Sequence, residues 1–131
     1  MTGRKELWEL VEQGRQNRAA VERRIGEMSE QELVDLYWTH EQVVADLKDD
    51  SLTAHLDRPL SEDTLDDIAR WVVGQGLDHY EDVMAEDVAL PGRVPSGEAV
   101  PFWGGEITKV YHDRYGIPVR FKEDPPPAKA R

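Results

Sequence analysis

Apolar positions recur three and four residues apart through most of the chain, the spacing of helices with one buried face. The most complete example is the stretch 61–76, Ser-Glu-Asp-Thr-Leu-Asp-Asp-Ile-Ala-Arg-Trp-Val-Val-Gly-Gln-Gly. Ser61 can accept a hydrogen bond from a first-turn amide, and Glu62, Asp63, Asp66 and Asp67 put negative charge where the helix dipole is positive. Leu65, Ile68, Ala69 and Val72 then share one face, with Trp71 beside them. Gly74 and Gly76 can break or tighten the helix before Leu77, Tyr80, Val83 and Met84 resume the stripe. Either one kinked helix to about Glu86 or two short helices is expected.

The same reading extends in both directions. Leu7, Leu10, Val11 and Gly14 predict a first helix from Arg4, expected to pack on the central one. Gln16-Asn17 interrupts its pattern before Val21, Ile25 and Met28, so that helix continues, bends or restarts there. Ser29 and Glu32 form a capping box that starts a helix at about Glu30. Leu33, Leu36, Tyr37, His40, Val43, Val44 and Leu47 give this helix the strongest stripe in the chain, expected to lie against the Ser61 helix or across a dimer interface. A short apolar piece, Leu52 to Leu56, leads to Pro59, which disfavours helix at Arg58. Residues 87–101 are rich in Pro and Gly and read as a long loop, mobile or laid over the surface. Phe102, Trp103, Ile107, Val110 and Tyr111 predict a last helix, stopped by Gly116 and Ile117-Pro118. Val119 and Phe121 suit a short extended contact. Lys122 to Arg131, with Pro125-Pro126-Pro127, reads as a disordered tail. The expected architecture is all-α: one domain over residues 1–121, a bundle of about five helices with the Glu30 and Ser61 helices as its central pair.

Composition narrows the chemistry. The 131 residues suffice for one core without staples. The absence of Cys excludes disulfides, thiolate nucleophiles and Cys-ligated zinc. No apolar run approaches the roughly 20 residues of a membrane span and none follows the charged start, so a soluble cytoplasmic protein without membrane association is expected. Net charge is −11, concentrated in residues 30–113, which hold five basic and twenty acidic groups. Such a surface repels phosphate backbones, so nucleic acid is not an expected partner, whereas a cationic protein or peptide is. Arg15, Arg18, Arg23 and Arg24 form the one internal basic patch, expected to pair with Glu12, Glu22 and Glu27.

Three short motifs in order carry a resemblance. Leu7-Trp8-Glu9-Leu10-Val11 resembles an opening Phe-Trp-x-Leu-Ile. Trp71-Val72-Val73-Gly74-Gln75-Gly76, preceded by Ser61-Glu62-Asp63, resembles a core of Ser-Asp-Asp, an aromatic and Arg-Gly-Trp-Leu-Ile-x-Gln-Gly. Val110-Tyr111 through Tyr115-Gly116 resembles a closing Val-Tyr to Thr-Gly. These belong to an uncharacterised bacterial domain-of-unknown-function family, and the resemblance spans about Leu7 to Gly116. It implies an all-helical fold and no mechanism. Ala69 stands where the family has Arg, with Arg70 one place later, and Asp57-Arg58-Pro59-Leu60 replaces a Gly-Gly-Cys.

No nucleophile elbow, phosphate loop or dinucleotide fingerprint is present. His79, between Asp78 and Asp82, could contribute to a cation site only with help from another segment. No His-x-x-x-His or Glu-x-x-His pair accompanies it, so no metal and no cofactor is expected. His40 lies on the buried stripe, as a core histidine or as a proton-transfer group, and its neighbour Glu41 is expected to face elsewhere. Trp38, His40, Arg70 and Gln75, facing one concavity, would give aromatic walls and polar anchors. Two functions follow. One is an acidic helical binding module of adaptor, inhibitor or immunity type, engaging a cationic protein or peptide through Trp38, Asp66, Asp67 and Asp78, with Arg70 and Gln75 in the adjoining pocket. The other is a small cofactor-free enzyme in which His40 or a desolvated carboxylate transfers protons, for instance in tailoring or cross-linking a ribosomal peptide.

Overall fold

The computed structural model describes residues 4–56, 60–95 and 105–119. Among them the chain is all-helical, with no strand: α1 (Arg4–Gln16), α2 (Arg18–Gly26), α3 (Glu30–Asp46), α4 (Asp50–Thr53), α5 (Glu62–Gly74), α6 (Leu77–Met84) and α7 (Gly105–Tyr115). The all-α expectation holds, and seven helices rather than about five result from local stops and starts that apolar periodicity does not resolve.

Three of these explain the difference. Asn17 leaves the helical region (φ −155°, ψ 95°), and its side chain accepts from the Ala20 amide at 3.2 Å, so α2 is a restart. Asp49 does the same for α4, accepting from the Ser51 amide at 2.8 Å. Gly76 adopts φ 107°, which separates α5 from α6. The backbone angle requires glycine, whereas a Cβ there would lie 3.3 Å from the ends of the exposed Arg15 and Glu12 side chains, which can move aside. Gly76→Ala is therefore expected to lose about 1–2 kcal/mol of stability in urea denaturation.

The remaining caps follow the sequence reading. Ser29 and Glu32 close a reciprocal capping box, at 3.2 Å and 2.9 Å, and the Ser61 hydroxyl accepts from the Thr64 amide at 3.1 Å. Gly116, at φ 78°, ends α7 by donating its amide to the His112 carbonyl at 2.9 Å.

Helix α3 is the hub, packing against α1, α5 and α7. Leu33, Leu36, Val43, Val44 and Leu47 bury completely against Leu7, Leu10 and Val11 of α1, Ile68, Val72 and Val73 of α5, and Ile107 of α7. Leu65 is only half-buried, so the inward face of α5 is carried by Ile68, Ala69, Val72 and Val73. The fully buried Tyr111 donates its hydroxyl to Glu30 at 2.6 Å, and Arg114 donates to the Gly26 and Met28 carbonyls, fixing α7 across the α2–α3 turn. Trp8 and Trp71 both enter the core against consecutive residues of α6: Trp8 packs on Tyr80 with ring centroids 5.1 Å apart, and Trp71 meets His79 edge-on at 5.6 Å. Residues 87–95 form no helix, and Val119 is buried. Arg58, Pro59, Phe102, Trp103, Phe121 and the 122–131 tail lie outside the described residues. No described helix is long and apolar enough to cross a membrane.

Candidate functional site

Asp66 and Arg70 stand one turn apart on α5, and Glu41 and Lys48 are seven positions apart along α3 and its end. Packing α3 on α5 brings all four together. Arg70 forks onto Glu41, Nη1 to Oε2 at 2.9 Å and Nη2 to Oε1 at 3.1 Å, while its Nε donates to Asp66 at 2.7 Å. Lys48 bridges the other Asp66 oxygen at 2.8 Å and Glu62 at 2.9 Å. Glu41 does not face away from His40, as helical phase suggested: its Oε2 is 3.8 Å from His40 Nδ1. The reason is reach, since a glutamate drawn over by the Arg70 fork passes beside the preceding ring.

The electrostatics of this array are those of a clamp. Burial works to raise the Glu41 carboxyl, but the neighbouring His40 ring, together with the hydrogen bonds and charge of Arg70, outweighs it and holds it down at about 2. Burial likewise opposes ionisation of Asp66, and Arg70 and Lys48 prevail to lower it; burial also works against the Arg70 charge, and Glu41 and Asp66 prevail to raise its pKa. Glu41 is thus a fixed anion rather than a base poised to take a proton. His40 is 1% exposed, sealed beneath the helix pair.

The other predicted site residues disperse. The half-buried Trp38 packs edge-on against Tyr37, its own neighbour on α3, with ring centroids 4.9 Å apart. Gln75, at the end of α5, donates its side-chain amide back to the Trp71 carbonyl at 3.3 Å. Asp67 and Asp78 are exposed and make no ion pair among the described residues. The structure therefore joins His40 to Arg70 through Glu41 and Asp66 to the same Arg70, and places Trp38, Gln75, Asp67 and Asp78 in separate settings.

A different surface stands out by its unbalanced charge. The basic patch is largely paired internally: Arg15 with Glu12, Arg18 with Glu22 and Glu106, and Arg24 with Glu6 rather than Glu27. Along α6 and the turn after it, Asp78, Glu81, Asp82, Glu86 and Asp87 are all exposed, and none forms an ion pair among the described residues. No Lys or Arg occurs between Arg70 and Arg93 to neutralise them. Tyr80 and Val83 anchor the inner side of α6, so Asp78, Glu81 and Asp82 point outward, edged by Leu77 and Met84, each 38% exposed. Glu86 takes φ 65°, and the amides of Asp87 and Val88 both return to the Asp82 carbonyl, a turn that closes the helix and keeps the last two carboxylates on the surface. Sequence reasoning selected Asp78 and missed Glu81, Asp82, Glu86 and Asp87. The available signal was the lack of any Lys or Arg from 71 to 92.

Among the described residues, no three His, Cys, Asp or Glu side chains converge closely enough to hold a metal ion. No curated protein and no solved structure matches the chain. The model of one family does, over residues 1–115, and its description is "Protein of unknown function (DUF4240)". That match covers most of the chain and agrees with the expected membership of a domain-of-unknown-function family: the chain belongs to the DUF4240 family.

Proposed function

We propose that this protein is a small acidic binding module that engages a cationic protein or peptide through the outer face of α6. The carrying observation is the set of five exposed carboxylates, Asp78, Glu81, Asp82, Glu86 and Asp87, none of which pairs with a cation among the described residues, whereas Glu41 and Asp66 of the α3–α5 clamp are both paired. Unpaired surface charge of one sign steers an opposite partner and suppresses wrong ones. The exposed Leu77 and Met84 beside it add an apolar edge that suits the non-polar side of an amphipathic basic segment. An adaptor, inhibitor or immunity role in a cytoplasmic setting fits this chemistry and the cysteine-free composition.

The enzyme alternative gains less support. His40 is sealed from solvent and Glu41 is held ionised by Arg70, so neither offers a substrate an accessible group that exchanges protons near neutrality. A fluorescent lysine-rich peptide tests the binding reading. Raising salt from about 0.1 M to about 1 M shortens the Debye length from about 10 Å to about 3 Å, and affinity is expected to fall at least tenfold or so. Equal binding of a glutamate-rich peptide, or affinity indifferent to salt, would contradict it.

A further inference from the structure

A cleft apart from the α3–α5 clamp opens between the residues after α4, Leu60 ahead of the α5 cap and the irregular chain after α6. Its main lobe, about 610 Å³, is lined by His55, Leu56, Leu60, Leu90, Gly92 and Arg93. An adjoining lobe of about 190 Å³ shares His55 and Leu90, is floored by the buried Leu52 and Val83, and is also lined by Glu86. The main lobe falls within the roughly 300–1,000 Å³ of small-molecule sites, which combine apolar walls with a few placed polar groups.

Two polar groups give it a sign. Arg93 is the only Lys or Arg between Arg70 and Lys109, yet in a chain of net charge −11 it makes no ion pair among the described residues. His55 Nε2 lies 2.9 Å from the Leu90 carbonyl. A carbonyl only accepts, so Nε2 carries the hydrogen. The imidazole thus holds the cleft wall in place and keeps Nδ1 for another partner. Guanidinium is the side chain best matched to a carboxylate, which it can bind through two parallel hydrogen bonds. Glu86 in the smaller lobe repels an anionic head, which directs that head to the Arg93 end and an apolar body along Leu56, Leu60 and Leu90.

We infer that this cleft is a binding site for a small amphipathic carboxylate, with Arg93 as the anchor of the carboxylate and the three leucines as the wall for its apolar body. This does not rest on the cationic partner proposed for α6. Octanoate is the probe, with 1-octanol as its uncharged match, followed by amide NMR shifts of the full chain. Octanoate is expected to give saturable shifts at Leu56, Leu60, Leu90 and Arg93 at millimolar concentration or below, and octanol to bind about tenfold more weakly. Arg93→Ala, at an exposed position that makes no ion pair among the described residues, is expected to weaken octanoate about tenfold and leave octanol unchanged. Ala89→Trp, which puts bulk into both lobes, is expected to remove both ligands. Shifts that do not saturate, that map elsewhere, that are equal for octanol, or that survive Arg93→Ala would overturn the site.

Discussion

Arg70→Ala is expected to lower stability by about 2–3 kcal/mol, the largest loss from replacing any single charged side chain described above. Removing one partner of a fully buried ion pair costs about 3–5 kcal/mol, because the other charge is left desolvated. Here Arg70 is 21% exposed and Glu41 25%, so water recovers part of that cost. Lys48 still serves Asp66, but nothing replaces the two-armed bond to Glu41. For a chain of this length the loss corresponds to a fall in Tm of roughly 6–10 °C, checked by thermal and urea unfolding. A drop within the error of measurement would mean that the clamp adds no net stability.

The same clamp gives a pH signature. The Glu41 carboxyl is held at about 2 in the fold against 4.5 for the free group. The unfolded chain therefore binds a proton first as pH falls, which favours unfolding. The contribution is fully present above about pH 4.5 and is lost progressively toward about pH 2, up to roughly 3 kcal/mol in all. Arg70→Ala should flatten that acid limb while lowering the neutral plateau. A variant with the wild-type slope below pH 4.5 would assign the acid sensitivity to other carboxylates.

Neutralising α6 is expected to have the largest effect on binding. In the triple variant Asp78→Asn, Glu81→Gln, Asp82→Asn, each lost rim contact with a cationic partner is worth about 0.2–1 kcal/mol, so affinity for a lysine-rich peptide should fall roughly threefold to a hundredfold. Stability should scarcely change. Among the described residues none of the three carboxylates is paired, and relief of the Asp78–Asp82 repulsion one turn apart offsets the lost dipole interaction of Asp78. The control removes the same charge elsewhere, at Glu9, Glu27 and Asp63, which are exposed and also unpaired among the described residues. If the control weakens binding as much as the α6 variant, overall charge rather than a defined face governs the interaction.

The sequence reveals the helices where a cap and a stripe coincide, as at Ser29 and Ser61. It leaves the breaks open where one residue decides between two backbone conformations. Asn17 and Gly76 are such residues: the side chain of the first caps a new helix, and the second takes a positive φ that its sequence permits but does not dictate. His40 was legible as an unusual member of its stripe, and Arg70 as a polar anchor. Their common partner Glu41 was not, because a pairing across 29 residues depends on how α3 crosses α5 and how far a glutamate reaches. The α6 carboxylates were concealed differently: Asp78 was legible as a candidate, but that it and its four neighbours go unpaired could be read only once the described cations had been placed. His55 and Arg93 carried no local signal, since the cleft exists only where the chain after α6 returns to α4.

The most direct test of the binding account is an amide NMR titration of the full chain with the lysine-rich peptide at low salt. The account predicts saturable shifts grouped at residues 77–88, with Asp49, Asp50, Asp63 and Asp67 little affected. Shifts spread evenly over all exposed carboxylates, or confined to the α3–α5 clamp, would contradict it.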